Sequence, residues 1–217
     1  AEVLLVPGDA PLLPSEVLAG MWDTFRRSGE AAAVVTLRLE KPSGYGRILR
    51  DGASLARIVE ERDATPEERA VTEVNSGAYF FRFPELWGLL ERIGRDNAQG
   101  EYYLTDLFSL LHREGRSASL YPAPDPQAWL GINTQEELAR STARLRERVV
   151  RQWMEAGVTV MDPASTWIEP GVKLGAGVAL HPYVRLCGST CLGEGVEVRS
   201  FSVLCDCDIG NATLIKE

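Results

Sequence analysis

The chain has 217 residues, 45% hydrophobic and 25% charged, which is enough for one large globular domain or two small ones. Its formal net charge of −8 disfavours a nucleic-acid partner, because a protein that binds the phosphate backbone needs a basic surface. No apolar run is long enough to cross a bilayer and no signal-peptide pattern opens the chain, so the sequence predicts a cytoplasmic protein without a membrane span.

Residues 1–133 alternate strand-like and helix-like segments, which predicts a mixed α/β sheet with helices on both faces. In chain order, the predicted elements are a buried strand at Val3–Val6, a helix at Ser15–Arg27, a strand at Ala31–Leu39, a hairpin turning at Asp51-Gly52, a strand at Val74–Phe81, and helices at Pro84–Ile93 and Glu101–Arg113.

The sequence pattern of residues 134–156 predicts a single amphipathic helix that links two domains. Thr134 and Glu137 have the spacing of a capping box, and Gly157 ends the helix. A broken apolar stripe follows the helical period. Its members are Leu138, Leu145, Val149, Trp153 and Met154.

From Ile168 onward the sequence follows a six-residue period, which predicts a parallel β-helix with triangular coils. The apolar positions of the period are Ile168, Leu174, Leu180, Leu186, Leu192 and Val198. The phase slips by one residue near Ser200, and the pattern then resumes at Val203, Ile209 and Ile215.

The last 31 residues contain all four cysteines of the chain: Cys187, Cys191, Cys205 and Cys207. Their spacings do not fit a structural zinc pattern. We therefore expect reduced thiols packed in the coils rather than a metal site or a disulfide.

Several polar residues stand at the ends of predicted strands, where ligands gather in open α/β sheets. Asp9 follows the first strand and is placed either to hold Mg²⁺ or only to cap the next turn. Gly46 precedes the hairpin, and its lack of a side chain suits either a close ligand or a turn. Glu60, Asn75 and Asn133 suit sugar hydroxyls, or else local backbone groups.

Amides, acids and two tyrosines are concentrated in the segment from Asn97 to Asp106, which favours a site or an interface there. The two histidines, His112 and His181, have no Ser, Cys or carboxylate partner nearby in sequence. We therefore expect both to be structural or surface residues and expect no hydrolytic triad.

Taken together, these segments resemble the bifunctional family N-acetylglucosamine-1-phosphate uridyltransferase / glucosamine-1-phosphate N-acetyltransferase. The matching stretches, in the family's order, are Gly8 to Leu13, Pro42 to Ile48, Ile58 to Thr65, Glu73 to Gly77, Asn97 to Asp106 and Gly131 to Asn133. The resemblance covers essentially the whole chain. It implies a Rossmann-like nucleotidyltransferase domain at residues 1–133, a linker helix at 134–156 and a left-handed parallel β-helix of hexapeptide repeats from 157 to 217.

By position, the resemblance implies that Asp9 and Asn133 hold Mg²⁺. It also implies that Gly46, Glu60 and Asn75 contact UDP-N-acetylglucosamine, with Pro7 and Gly8 lining the same pocket. The implied reaction joins UTP and N-acetylglucosamine 1-phosphate with release of pyrophosphate. Pro7 stands where the family usually has a backbone N–H donor, so one contact to the ligand is expected to be lost.

The resemblance also places the family's phosphate loop before residue 1, and its acetyltransferase histidine and acetyl-CoA contacts after residue 217. We therefore expect a fragment that lacks both ends of the family's full-length sequence and is inactive alone. The resemblance also implies that the full-length relatives form homotrimers. Two alternatives remain open at this point. One is a nucleotidyltransferase for another sugar phosphate with a β-helix tail, and the other is a non-catalytic relative that serves trimerisation or regulation.

Overall fold

The fold described below is that of a computed structural model, which covers residues 1–216 and, among these, every side chain except that of Glu85. The chain divides into two compact units, Ala1–Ile132 and Asn133–Glu217, and each is described by itself. Among the described residues, no helix has the length and apolar character that crossing a membrane requires.

The first unit is a mixed α/β structure built on a twisted sheet. Its strands are β1 (Glu2–Leu5), β2 (Ala32–Arg38), β3 (Arg47–Asp51), β4 (Ser54–Val59), β5 (Glu73–Arg82) and β6 (Ala118–Pro122). Its helices are α1 (Ser15–Ser28), α2 (Pro66–Arg69), α3 (Phe83–Leu90) and α4 (Asp106–Arg113), with a 3₁₀ turn at Pro126–Trp129. The sheet order is β4-β3-β5-β2-β6, and β1 also pairs with β5. Of these strand pairs, β2 with β6 is parallel and the others are antiparallel. The predicted mixed sheet is therefore confirmed.

The central strand β5 carries different partners on its two edges. Strand β2 lies antiparallel along one edge. The other edge is shared: β1 pairs with the end of β5, from Tyr79 to Arg82, and β3 pairs with its start, at Val74. The end of β1 and the start of β3 therefore lie on the same edge of β5, one on each side of residues 75–78.

Helices cover both faces of this sheet, as the sequence predicts. Phe80 and Phe81 are neighbours in β5 and are fully buried on opposite faces. Phe80 packs against Phe25 of α1, with ring centroids 5.7 Å apart, and Phe81 packs against Phe108 of α4 at 5.6 Å. Each face thus has its own apolar cluster, and β5 is the spine between them.

Three details of the predicted elements are wrong. The first strand is half-buried rather than buried, since β1 has β5 on one side and Val6 beyond its end is 46% exposed. The helix predicted from Glu101 begins only at Asp106, because the side chain of Asn97 bonds the backbone of residues 99 and 101 and holds them in a loop. The short elements α2 and β6 have no counterpart in the prediction.

The second unit begins with the linker helix α5 (Gln135–Glu155). The predicted capping box is confirmed: Thr134 accepts from the Glu137 backbone N–H at 3.1 Å, and the Glu137 carboxylate accepts from the Thr134 N–H at 2.9 Å. Gly157 follows the helix with φ 92°. Only the last turns of the predicted stripe pack, through Val149 and Trp153. The remaining members are exposed by more than a third, namely Leu138, Leu145 and Met154.

The β-helix predicted from the six-residue period is confirmed as a parallel solenoid of about three coils. Its strands are β7 (Thr159–Val160), β8 (Trp167–Ile168), β9 (Lys173–Leu174), β10 (Ala179–Leu180), β11 (Arg185–Cys187), β12 (Cys191–Leu192), β13 (Glu197–Val198), β14 (Val203–Cys205), β15 (Asp208–Ile209) and β16 (Leu214–Ile215). They stack as three parallel sheets, β7-β10-β13-β16, β8-β11-β14 and β9-β12-β15. The apolar positions of the period line the interior, where Leu180 and Leu186 are fully buried.

The predicted position of the phase slip is wrong. Leu204, not Val203, continues the inward row, since it pairs with Leu186 while Val203 is 64% exposed. The omitted residue lies one corner later, because Leu192 pairs with Ile209 after a step of 17 instead of 18 residues. Asp206 closes this shorter corner in the left-handed conformation, at φ 49°.

Candidate functional site

Three of the predicted site residues meet at the shared edge of β5. The ring of Pro7, just beyond β1, lies 3.6 Å from the position of a Cβ on Gly77. Gly46, just before β3, accepts a 2.8 Å hydrogen bond from the backbone N–H of Asn75. The segments that carry Pro7 and Gly46 are about 40 residues apart in sequence, and both contact the three consecutive residues 75–77 of β5.

A bulge shapes that part of β5. Val34 pairs with Tyr79 and Thr36 with Asn75, so three residues of β5 face one of β2. Gly77 takes φ 81° inside the bulge, and the Asn75 side-chain oxygen accepts its N–H at 2.9 Å. The Asn75 amide nitrogen donates to the Tyr79 hydroxyl at 2.6 Å. Asn75 thus supports the bulge, and its amide keeps one hydrogen and one lone pair for a further partner.

Glu60 follows β4 directly and lies over Gly46. A Cβ on Gly46 would be 3.3 Å from each oxygen of the Glu60 carboxylate and 3.0 Å from Cγ2 of Ile58. Any other residue at position 46 would have to displace one of these groups. Gly46 is therefore needed for this approach whatever the ligand.

The carboxylate of Glu60 is held by a residue from another part of the chain. Thr105 is 4% exposed, and its hydroxyl donates to Glu60 Oε1 at 2.9 Å. Burial raises the pKa of Glu60 above its usual range, Thr105 opposes that rise, and the charges of Asp63 and Asp106 add to it. The second carboxylate oxygen remains for a ligand hydroxyl.

Tyr79 completes the buried part of this cluster. Desolvation raises the pKa of its hydroxyl to about 12, with the nearby Glu60 charge adding to the rise, so it stays protonated at neutral pH. The hydroxyl accepts from Asn75, as described above, and its ring packs on Phe108 at 5.6 Å. Tyr79 therefore connects the polar cluster to the apolar core.

The segment Asn97–Asp106 forms one wall of a cleft of about 420 Å³ that reaches Glu60. The Asp63 carboxylate accepts the N–H of Ala98 at 2.7 Å, which ties this segment to the turn after β4. Within it, the Tyr103 hydroxyl donates to the side chain of Gln99 at 2.9 Å. The predicted polar segment is thus an internally bonded loop beside the candidate site.

The turn that carries Gly46 is fixed by a buried cation. Arg47 is 2% exposed and forms a 2.6 Å ion pair with Glu61, while its other nitrogens donate to the backbone oxygens of Tyr45 and Arg69. The Glu61 carboxylate also accepts the N–H of Gly44 at 3.1 Å. The contact with Arg47 lowers the pKa of Glu61, and the pair holds the turn against the start of β3.

The two predicted metal ligands belong to different compact units. Asp9 is exposed after β1, and a Cβ on Gly131 would lie 2.5 Å from its Oδ2, so only glycine leaves room for this carboxylate. The Asp9 carbonyl accepts the N–H of Ile132 at 3.0 Å. Asn133 begins the second unit, and its N–H donates to Glu137 at 2.7 Å.

An acidic oxygen and an amide oxygen are suitable donors for Mg²⁺, which usually binds one or two protein ligands together with water and phosphate. Among residues 1–216 there is no group of three or more His, Cys, Asp or Glu side chains arranged to hold a metal. Mg²⁺ needs fewer protein ligands than such a group provides. The Asp9 carboxylate, which has room because residue 131 is glycine, is suited to be one of them.

The remaining predicted residues lie elsewhere. His112 lies 3.6 Å from Asp51, and His181 contacts Glu197 at 2.8 Å, so each histidine has a carboxylate partner that is distant in sequence. Over the described chain all four cysteines are free; Cys187 is buried, whereas Cys205 is exposed rather than packed.

Sequence reasoning missed three residues of the site. Thr105 and Gly131 occur in matching stretches, but nothing in their local pattern indicates contacts with Glu60 and Asp9. Tyr79 reads as an ordinary strand residue. Two strand residues four positions apart, such as Asn75 and Tyr79, normally lie on the same face of the sheet. That their side chains bond each other depends on the bulge between them.

Comparison with known proteins identifies close relatives, although no family model matches the chain. The bifunctional protein GlmU of Geobacter metallireducens is 44% identical over 205 residues, 94% of this chain and 43% of that protein. GlmU of Desulfitobacterium hafniense is 41% identical over 209 residues, 96% of this chain and 46% of that protein. GlmU of Kineococcus radiotolerans is 42% identical over 214 residues, 99% of this chain and 44% of that protein.

A solved structure of a candidate glucose-1-phosphate thymidylyltransferase from Bacillus anthracis aligns with 58% of this chain and 48% of its own, at 18% identity and a TM-score of 0.44. That likeness is too low to add to the fold assignment.

A mixed α/β sheet with a polar cluster at its strand ends, a linker helix and a hexapeptide β-helix together define a class by fold, an α/β domain of the nucleotidyltransferase type joined to a left-handed β-helix. Given identities of 41 to 44% over nearly its whole length, the chain belongs to the family of the bifunctional GlmU proteins. It spans less than half the length of these curated relatives.

Proposed function

We propose that residues 1–132 bind the sugar-phosphate part of UDP-N-acetylglucosamine and serve its synthesis from UTP and N-acetylglucosamine 1-phosphate. The observation that carries this proposal is the meeting of Pro7, Gly46 and Asn75 on one edge of β5, with Glu60 above Gly46. These residues bring an amide and a carboxylate together beside a glycine, and amides and carboxylates are groups that recognise the hydroxyls of a pyranose.

Each residue has a distinct role in this proposal. The free oxygen of Glu60 accepts a sugar hydroxyl, since Thr105 occupies the other oxygen. The remaining amide hydrogen of Asn75 donates to a second sugar oxygen. Pro7 and Gly8 line the pocket beside them, and the missing N–H of Pro7 is one donor fewer for the ligand.

Asp9 would hold Mg²⁺ in the proposed site, through a carboxylate oxygen that suits this ion. The ion supplies neutralisation of phosphate charge when it is bound. The reaction is attack of the sugar-phosphate oxygen on the α-phosphorus of UTP, with pyrophosphate leaving. The chain's residues contribute by positioning the attacking group rather than by covalent chemistry.

The test is a calorimetric titration of the chain with UDP-N-acetylglucosamine in the presence of Mg²⁺. We expect saturable binding that falls by about tenfold or more in Glu60→Gln or Gly46→Ala, because either change disturbs the carboxylate over the sugar. Glu40→Gln, on an exposed loop, is the matched control and should bind like the parent.

The outcomes separate the alternatives. Tighter binding of another UDP-sugar, such as UDP-glucose, would indicate a nucleotidyltransferase for a different sugar. Absence of binding to any UDP-sugar, with folding intact by circular dichroism, would contradict the proposal and favour a non-catalytic trimerising or regulatory relative.

The second unit has its own place in this proposal. Residues 157–216 form coils of an acetyltransferase β-helix, which uses acetyl-CoA in the full-length family and assembles as a homotrimer. The solenoid of stacked coils supports this assignment. Light scattering of the purified chain tests the assembly, with a trimer mass expected and a monomer mass at high concentration contradicting it.

A further inference from the structure

Two cysteines face each other across adjacent coils of the β-helix. Cys187 is the last residue of β11 and Cys205 the last of β14, and they are in-register partners on parallel strands. In-register residues of neighbouring parallel strands point to the same face, with Cα atoms about 4.7–4.9 Å apart. That spacing lies within the range of about 4.4–6.8 Å seen between the Cα atoms of a disulfide.

The side chains of the pair are in contact. A hydrogen bond with the Cys187 thiol, more than desolvation, raises the pKa of Cys205 to about 11, and the charges of Asp206 and Glu169 add to the rise. The guanidinium of Arg185 also hydrogen-bonds Cys187, a contact that raises the pKa of Arg185.

Access and backbone geometry favour reaction at this pair. Cys205 is exposed, so a small reagent in solvent reaches it directly, although its high pKa keeps its thiolate scarce at neutral pH. Each cysteine is followed by a corner residue with positive φ, Gly188 at 61° and Asp206 at 49°. The sulfurs thus lie where each strand ends and a turn begins.

The other two cysteines provide an internal comparison. Cys191 is in register with Asp208, not with a cysteine. The sulfur of Cys207 lies 3.9 Å from the Thr190 hydroxyl. Their thiols are therefore not register partners, although both lie in the same coils.

We propose that Cys187 and Cys205 form a disulfide between the second and third coils when the chain meets a low-molecular-weight disulfide such as oxidised glutathione. In the first step, a cysteine thiolate attacks the glutathione disulfide, forms a mixed disulfide and releases one glutathione. In the second step, the other cysteine attacks the protein sulfur of the mixed disulfide and releases the second glutathione. One S–S bond breaks and one forms, the two thiol protons end on the released glutathiones, and the oxidant is reduced as the cysteines are oxidised.

The experiment exposes the native 217-residue chain to oxidised glutathione, alkylates the remaining thiols and maps the disulfides by mass spectrometry. The tryptic peptides 186–199 and 200–216 each contain two cysteines, so fragmentation spectra are needed to place the bond. We expect the Cys187–Cys205 link to predominate and dithiothreitol to reverse it.

Two double variants sharpen the assignment. Cys191→Ser with Cys207→Ser should form the link at a rate within about twofold of the parent, because the reactive pair is intact. Cys187→Ser with Cys205→Ser should form an intramolecular disulfide at least about tenfold more slowly, since its thiols are not register partners. Circular dichroism of both variants checks that the coils are folded.

Three results would overturn the proposal: equal rates in the two double variants, a predominant Cys191–Cys207 link in the parent, or glutathione adducts that persist without an intramolecular bond. The disulfides of the parent chain are mapped without any substitution. That measurement still decides the test if a variant does not fold.

Discussion

Thr105 donates a 2.9 Å hydrogen bond to Glu60, a residue 45 positions earlier in the chain. The bond opposes the rise that burial causes in the pKa of Glu60. Thr105→Val should therefore raise the pKa of Glu60 further and cost about 1 kcal/mol of stability. Thr105→Ser, which keeps the hydroxyl, should restore the parent value. Carbon-detected NMR titration of the glutamate carboxyl groups measures both, and an unchanged Glu60 titration in the valine variant would show that the bond has no influence.

Gly131 should be required for the position of Asp9. A methyl group there would lie 2.5 Å from Oδ2 of Asp9, so Gly131→Ala must push the carboxylate aside. We expect the part of UDP-N-acetylglucosamine affinity that depends on Mg²⁺ to fall by about tenfold. The matched control is Gly20→Ala in α1, where nothing lies within 4 Å and stability should rise by up to about 1 kcal/mol. If the magnesium dependence survives in Gly131→Ala, the placement of Asp9 is not what the site requires.

The Arg47–Glu61 pair should make the first unit sensitive to acid. Because Arg47 lowers the pKa of Glu61 in the folded chain, the unfolded chain binds a proton there more readily. The stabilisation is thus present above the unfolded pKa and is lost as the pH falls through the lowered folded value. Urea unfolding from pH 7 down to about pH 3 should show a smaller acid loss in Glu61→Gln than in the parent.

Glu40→Gln, exposed and outside this pair, is the control for that series and should follow the parent curve. Identical curves for the parent and Glu61→Gln would mean that the ion pair contributes no pH-dependent stability.

Equivalent glycines in the first and third coils should differ sharply in their tolerance of alanine. A Cβ on Gly175 would lie 2.6 Å from the backbone nitrogen of Glu194, whereas a Cβ on Gly210 meets nothing within 4 Å. Gly175→Ala should destabilise the coils by about 2–3 kcal/mol, because backbone cannot move aside as a side chain does. Gly210→Ala should stay within about 0.5 kcal/mol of the parent. Hydrogen exchange across residues 157–216 compares the two, and equal protection would argue against the described coil spacing.

The sequence predicts the β-helix well because a solenoid is built from local repeats, and each apolar residue contacts its equivalent one coil away. The position of the phase slip is wrong because Val203 and Leu204 are both apolar, and only the pairing with Leu186 shows which one points inward. A repeat pattern fixes the period but not the phase across an irregular corner.

The candidate site was only partly readable for a different reason. Glu60 and Asn75 stand out because each is polar at the end or in the middle of an apolar strand. Their partners Thr105 and Tyr79 do not stand out, since contacts over long sequence separations depend on the packing of α4 and on the bulge in β5. Periodicity carries no information about either.

The shared edge of β5 also bears on how such a site can diversify. Strands β1 and β3 meet β5 end to end, so the segments bearing Pro7 and Gly46 are two separate inserts against one continuous floor. Either insert can change in length or composition while β5 keeps its pairing with β2 on the opposite edge. Chimeras that exchange only one of these segments between relatives are therefore the natural units of redesign, because each segment meets β5 at a different stretch.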